Sequence, residues 1–191
     1  EHYPAPFELI EAWEHHGDDP QRMMAEESGR VGKLIAGETS KSLRRVFFLM
    51  ERLKGIGKQS KIKVRRVHVI GAGVMGGDIA AWCVLQGLDV TLQDRELKYI
   101  EPALKRAKSL FQKKLRDRTR VDGAMSRLIP DVEGKGVSHA DVIIEAIFED
   151  VAAKRELFAK IEPHIKPDAV LATNTSAIPL AEISSVLKEP G

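Results

Sequence analysis

Gly71, Gly73 and Gly76, followed by an acid at Asp94, form the pattern in this chain with the most chemistry in it. Gly71 lets the chain turn sharply off a strand, Gly73 lets a backbone come close to a pyrophosphate, and Gly76 lets a helix lie tightly on a sheet. The N–H groups that open the helix, around Val74 and Met75, have no acceptor within the helix and suit an anionic diphosphate. Asp94 stands eighteen residues beyond Gly76, where a carboxylate accepts hydrogen bonds from the adenosine ribose and repels a 2′-phosphate. The pattern therefore predicts a dinucleotide site that prefers NAD to NADP. Arg95, the neighbour of that acid, reads as exposed or packed against adenine.

A second group of polar residues lies further on: Glu149 and Lys154, then Asn174-Thr175-Ser176. A serine hydroxyl can donate to a ketone and accept from an alcohol, so Ser176 could serve a carbonyl–alcohol interconversion in both directions. Read from the residues alone, the alternative for Ser176 is a turn serine that satisfies backbone groups, and Glu149 with Lys154 is equally a surface pair.

These residues need elements to position them. Val67, Val69 and Ile70 predict a short strand, Val74 to Gln86 a helix ended by Gly87, and Leu88 to Gln93 a second strand that closes on Asp94. Glu96 to Arg120 reads as a basic helix and Val121 to Leu128 as a second, short helix stopped by Pro130. Val142 to Ile147 predicts a buried strand and Asp150 a helix cap; Ala169 to Thr173 predicts another strand, and Leu180, Ile183 and Leu187 a closing helix. Alternating strands and helices imply an α/β fold, a Rossmann-type doubly wound parallel sheet with a helical hairpin insertion. In such sheets ligands sit beyond the carboxyl ends of the strands. That rule gathers Gly71 to Gly76, Asp94, Ile147 to Asp150 and Asn174 to Ser176 along one edge.

Upstream of the sheet the pattern is helical throughout. Phe7, Ile10 and Trp13 share a helix face, Asp19-Pro20 starts a second helix, and Leu43, Val46, Phe47, Met50 and Leu53 mark a third. Residues 1–54 are thus a helical segment, 55–64 a glycine- and lysine-rich linker, and 65–191 the α/β domain.

With 191 residues, 30 Lys and Arg against 28 Asp and Glu, the net charge of +2 is too mild to call for nucleic acid. The basic helix from Lys105 to Arg120 is a solvated face or a seat for an anionic ligand such as a phosphorylated carrier. One cysteine, Cys83, excludes an internal disulfide, reads as a packed thiol and fits a reducing compartment; the bacterial cytoplasm is the expectation, with a mitochondrial or peroxisomal location as the alternatives. Four glycines and Asp78 argue against a membrane span over Val67 to Leu85. No metal is expected.

GAGVMGGDIA, VIIEAIFEDVAAKRELF and LATNTSAIPLAEI, in that order and spacing, resemble the NAD-binding domain of the 3-hydroxyacyl-CoA dehydrogenases. YPAPFELIEAWE and SKSLRRVFFLMERLKGIGK look like the end of an enoyl-CoA hydratase domain and its linking helix, the order found in the multifunctional α-subunit of the fatty-acid β-oxidation complex. The resemblance implies NAD contacts at Met75, Asp94, Ile147, Phe148, Glu149, Lys154 and Asn174, with Ser176 beside the nicotinamide and on the substrate's 3-hydroxyl. It implies coenzyme A contacts in the helical hairpin, at Ser109 and Arg116, and a thiolase subunit as partner. In the family a His oriented by a Glu supplies acid/base catalysis soon after the NTS segment. That segment would follow residue 191, so the chain as given is expected to bind NAD without turnover. A related β-hydroxyacid dehydrogenase and a non-catalytic NAD-sensing module are the alternatives.

Overall fold

The computed structural model describes residues 3–58 and 63–188. Among them five parallel strands form one sheet: β1 (Arg66–Ile70), β2 (Asp89–Gln93), β3 (Leu128–Pro130), β4 (Val142–Glu145) and β5 (Val170–Thr173), in the order β3-β2-β1-β4-β5. The chain runs outward from β1 to β3 and then returns to pair β4 on β1's other side. The reversal leaves a crevice beyond the carboxyl ends of β1 and β4, where ligands of open α/β sheets bind. Register puts Ile70 level with both Gln93 and Glu145, and Glu145 level with Thr173. The residues that follow this row, Gly71, Asp94, Ala146 and Asn174, are therefore carried to one edge.

Helices α4 (Val74–Leu85), α5 (Leu97–Leu115) and α6 (Arg118–Ser126) are spaced along the crossovers on the β2 side. They supply Ala80, Val84, Ile100 and Phe111 to a core shared with Val67, Val69, Val90 and Leu92 of the sheet. A second, smaller core packs Ile70 and Ile143 against Val137, Ala140 and Ile161, the last from α7 (Val151–Ile161). Burial of β1 on both faces explains why it reads as a continuous apolar run rather than an alternating one. The exception is His68, fully buried beneath the sheet. Its Nδ1 lies 2.7 Å from Thr91 Oγ1 and its Nε2 2.9 Å from Gln93 Oε1. At the far end of the sheet the Asp141 carboxylate accepts the N–H groups of Arg65 and Arg66 at 2.7 and 2.8 Å and pairs with Lys166.

The helix signals match their capping chemistry. The Asp150 side chain accepts from Ala153 N at 2.8 Å at the start of α7, and Gly87, with φ +89°, ends the turn after α4. Two expectations about the hairpin and the segment after it are corrected. The second helix of the hairpin starts and stops earlier than Val121 to Leu128, because the Asp117 carboxylate caps it by accepting from Arg120 N at 2.8 Å. Leu128–Pro130 then forms an edge strand on β2; three residues ending in proline carry too little alternation to show as a strand.

The chain divides into two compact units, 1–62 and 63–191. In the first, α1 (Ala5–His16), α2 (Pro20–Ala36) and α3 (Glu38–Lys58) follow one another, with Asp19 capping α2. Arg30 ties α2 to α1 through Glu8 at 2.9 Å and Glu11 at 3.2 Å. Ala12 is the only buried residue among those described in this unit, and Phe47, Phe48 and Leu53 of α3 are exposed. Because α3 continues to Lys58, the glycines at 55 and 57 are helical rather than linker; residues 59–62 of the expected linker lie outside the described residues. No helix among the described residues is long and apolar enough to cross a membrane.

Candidate functional site

The glycine loop joins β1 to α4, and each of its three glycines has a different reason to be one. Gly71 has φ +103°, and a Cβ there would lie 2.5 Å from the carbonyl oxygen of Ala146. At Gly76 a Cβ would stand 1.8 Å from the Gly71 carbonyl oxygen, so loop and helix are in backbone contact. Gly73 meets nothing within 4 Å and is exposed, which leaves the space over the helix start open. Val74 and Met75 are exposed beside it. An open cradle lined by unshared N–H groups is the geometry a diphosphate needs. Behind the loop the guanidinium of Arg106, from α5, donates to the Gly73 carbonyl at 2.9 Å. Arg106 thus belongs to the loop's support rather than to the solvated basic face where its sequence neighbours place it.

Asp94 closes the β2 side. One carboxylate oxygen accepts Ala72 N at 2.8 Å and the other Arg95 N at 2.7 Å. Each oxygen keeps a second lone pair, so the side chain can hold the loop and still accept from a ribose. The backbone anchor was not visible in the sequence, since nothing in an acid's spacing shows which amide it will meet. Arg95 is exposed with its guanidinium 5.4 Å from the centre of the Tyr99 ring, a cation–π arrangement.

On the β4 and β5 side a buried carboxylate that the sequence reading did not single out organises the site. Glu145 ends β4 fully buried; its Oε1 accepts Lys154 Nζ at 2.6 Å and Ile147 N at 2.8 Å, and its Oε2 accepts the Thr173 hydroxyl. Lys154, 1% exposed, also reaches Glu149 at 3.3 Å. It is no surface pair: the charge is inside, and Glu149 is the partner that meets solvent. Glu149 accepts the Thr175 hydroxyl and, at 3.3 Å, the N–H of Ser176. The Thr175 hydroxyl first, then the Lys154 ammonium and last the Ser176 N–H hold its carboxyl below the ordinary carboxylate range. Asn174 N donates to the Glu145 carbonyl at 2.8 Å, and the Ser176 and Phe148 side chains are exposed at the rim. The only sequence signal for Glu145 was an acid where an apolar run should have continued.

The structure therefore brings together Gly71 to Gly76, Asp94, Ile147 to Glu149, Lys154 and Asn174 to Ser176. It leaves the two hairpin residues apart from this network. Ser109 is exposed and donates to Lys105 of its own helix at 3.2 Å, and Arg116 is the exposed left-handed residue, φ 54°, that ends α5. The three histidines of the sheet unit lie elsewhere: His68 under the sheet, His139 just before β4, and His164 past the carboxyl end of α7, all away from the crevice edge. Among the described residues no cluster of three or more His, Cys, Asp or Glu could hold a metal ion.

A parallel sheet reversing at β1, a glycine cradle at that reversal and an acid at the end of β2 define a dinucleotide-binding domain of the Rossmann class. Residues 66–191 match the family model described as 3-hydroxyacyl-CoA dehydrogenase, NAD binding domain. The chain belongs to that family, and the cofactor of the domain is NAD. Similar solved structures include a 3-hydroxybutyryl-CoA dehydrogenase from Escherichia coli, at 30% identity and TM-score 0.63 over 67% of this chain and 28% of that one. FadB2 of M. tuberculosis is 32% identical with TM-score 0.63, over 66% of this chain and 46% of its own. The dehydrogenase part of multifunctional enzyme 1 from C. elegans is 32% identical with TM-score 0.60, over 67% and 30%. The chain thus spans less than half the length of each of these structures.

Proposed function

We propose that this chain is the NAD-binding part of a 3-hydroxyacyl-CoA dehydrogenase of fatty-acid oxidation, within a longer multifunctional protein that also carries an enoyl-CoA hydratase domain. When bound, the nicotinamide supplies the hydride acceptor for C3 of a 3-hydroxyacyl-CoA and the donor for the reverse reaction. The observation that carries the reading is the meeting, along one crevice, of the open cradle at Gly73, the Asp94 carboxylate and the Glu149–Ser176 contact.

The roles of this chain's residues follow from their places. The helix start at Val74 and Met75 takes the pyrophosphate, and Gly73 leaves room for it. Asp94 accepts from the adenosine ribose, and Arg95 with Tyr99 forms the adenine side. Because β4 and β5 lie across β1 from Asp94, the nicotinamide half falls over Ile147 to Glu149 and Asn174 to Ser176. Glu149 accepts from its ribose. The Ser176 hydroxyl orients the substrate oxygen by donating to a ketone or accepting from an alcohol. None of the three histidines of the sheet unit stands at the crevice edge, so proton transfer at the C3 oxygen is assigned to a group outside that unit. Ser109 and Arg116 are proposed to meet the coenzyme A moiety from the hairpin. The exposed apolar residues of α3 support the reading of residues 3–58 as one piece of a larger body, and the multifunctional organisation implies a thiolase subunit as partner.

Fluorescence titration with NADH and NADPH tests the cofactor side. NADH is expected to bind more tightly, and Asp94→Ala to lower NADH affinity at least about tenfold, the effect of losing one hydrogen bond to a charged group. Equal affinity for the two cofactors in the unaltered chain would refute the assignment of Asp94. No turnover of acetoacetyl-CoA is expected from the chain alone.

A further inference from the structure

The side chain of Glu145 is fully buried at the end of a strand whose other inward positions are apolar. A carboxylate there is costly unless both oxygens and the charge are answered. They are answered by one residue from each segment that frames the β4–β5 side of the crevice: Ile147 N from the loop after β4, Lys154 Nζ from α7 and the Thr173 hydroxyl from the end of β5. The main chain adds a fourth tie, Asn174 N to the Glu145 carbonyl.

From Glu145 a continuous line of charge and hydrogen bonds runs outward. Lys154 passes it from the 2.6 Å contact with Glu145 to the 3.3 Å contact with Glu149, and Glu149 passes it to the N–H of Ser176. The outer member is the open one: the Lys154 side chain is 1% exposed and that of Glu149 41%. Stability alone does not account for the arrangement, because well-packed apolar residues of similar volume usually replace a buried ion pair at no loss. What an apolar pair could not do is fix where the exposed carboxylate of Glu149 points.

We propose that Glu145 is a positioning residue for the nicotinamide half of the cofactor, setting Glu149 through Lys154 and the Asn174 to Ser176 segment through Thr173. The proposal rests on the cofactor reading given above. It separates the two halves of the dinucleotide. The adenosine and pyrophosphate are held by Asp94 and the glycine loop on the other side of β1, so ADP should be indifferent to Glu145, whereas NADH should not.

The test uses the complete 191-residue chain, with NADH titration, ADP competition and thermal unfolding. Glu145→Gln keeps the shape and removes the charge; the double variant Glu145→Leu/Lys154→Met replaces the ion pair with apolar isosteres and covers the case in which the single variant fails to fold. Both are expected to bind NADH at least about tenfold more weakly while ADP affinity stays within about twofold, the loss being that of one charge-assisted contact. The double variant is expected to unfold close to the parent's midpoint. NADH affinity unchanged in a folded variant would overturn the proposal, as would parallel loss of NADH and ADP, which marks a structural role. If Asp94→Ala still weakens ADP binding in those cases, the cofactor reading survives and only the role of Glu145 falls.

Discussion

Replacing Gly76 by alanine puts a methyl carbon 1.8 Å from the Gly71 carbonyl oxygen and 3.0 Å from its carbon, with Ala146 Cβ at 3.2 Å. A relaxed C···O contact is about 3.3 Å or more, so the helix start and the glycine loop would have to part by about 1.5 Å. No side-chain rotation relieves this, since the nearest contacts are backbone and the loop is fixed by Gly71 N to Gln93 O at 2.8 Å and Ala72 N to Asp94 at 2.8 Å. Overpacking commonly costs about 1–3 kcal/mol, and a backbone-to-backbone clash belongs at or above the top of that range. At about 3 kcal/mol, the midpoint of thermal unfolding should fall by roughly 10–20 °C for a domain of this size. Gly73→Ala is the control that gives the comparison its force. Its Cβ meets nothing within 4 Å and its φ of −58° suits any residue, so the midpoint should move by no more than a few degrees. That methyl group occupies the approach to the helix start, however, and NADH affinity should fall at least about tenfold as hydrogen bonds to the phosphates lengthen. Circular dichroism melts and NADH titrations on the two variants check both halves. A Gly76→Ala variant that melts with the parent, or a Gly73→Ala variant that binds NADH normally, would refute the division of labour drawn here.

That division shows how far a sequence pattern reaches. The spacing of Gly71, Gly73, Gly76 and Asp94 located the cradle because the reasons behind it are local: a turn, a helix start and the length of one strand-helix-strand unit. The five-strand α/β framework was legible for the same reason, apart from β3, whose three residues take their strand geometry from pairing with β2 rather than from any pattern of their own. Partners across the sheet were not legible. Glu145 and Thr173 share a row only because β4 and β5 pair in that register, and Asp94 reaches Ala72 only because β2 ends level with β1. Arg106 looked like one more charge on a basic helix, and it became part of the loop through the close approach of α5 to α4 at Gly77, where a Cβ would lie 2.7 Å from that of Ala103. The linker begins later than its glycines suggest, because Gly55 and Gly57 lower helix propensity without forbidding a helix and α3 runs through both.

Two further expectations concern stability, and their pH dependences arise in different ranges. The Asp141 carboxylate, clamped first by Lys166 and then by the N–H groups of Arg66 and Arg65, is held far below its ordinary value of 3.8. As pH falls below that value the unfolded chain takes up the proton first, so the clamp's contribution is complete above it and is withdrawn in acid. Asp141→Asn should lower stability near neutral pH by about 1–3 kcal/mol, the worth of hydrogen bonds to a charged group, and flatten the acid limb of a urea-midpoint profile; an unchanged limb would show that the clamp contributes nothing. His68 acts nearer neutrality. Burial pushes its imidazole below the ordinary 6.5, against weaker opposing pulls from Gln93 and Asp131. The unfolded chain therefore binds more protons than the folded one once pH drops below 6.5, so stability is full above that value and declines as pH falls toward the folded-state value. The neutral ring fits its partners: Nε2–H donates to the Gln93 oxygen and Nδ1 accepts from the Thr91 hydroxyl. A proton on Nδ1 would place a donor against a hydroxyl that must then turn round, with Gly136 packed so closely that a Cβ there would lie 2.5 Å from Nδ1. Thermal midpoints measured from about pH 8 down to about pH 5 should fall in the parent chain and fall less in His68→Leu, although that variant starts lower because Thr91 and Gln93 lose a buried partner. Equal slopes in the two proteins would mean that the imidazole is already answered when charged, and that the decline comes from groups outside this cluster.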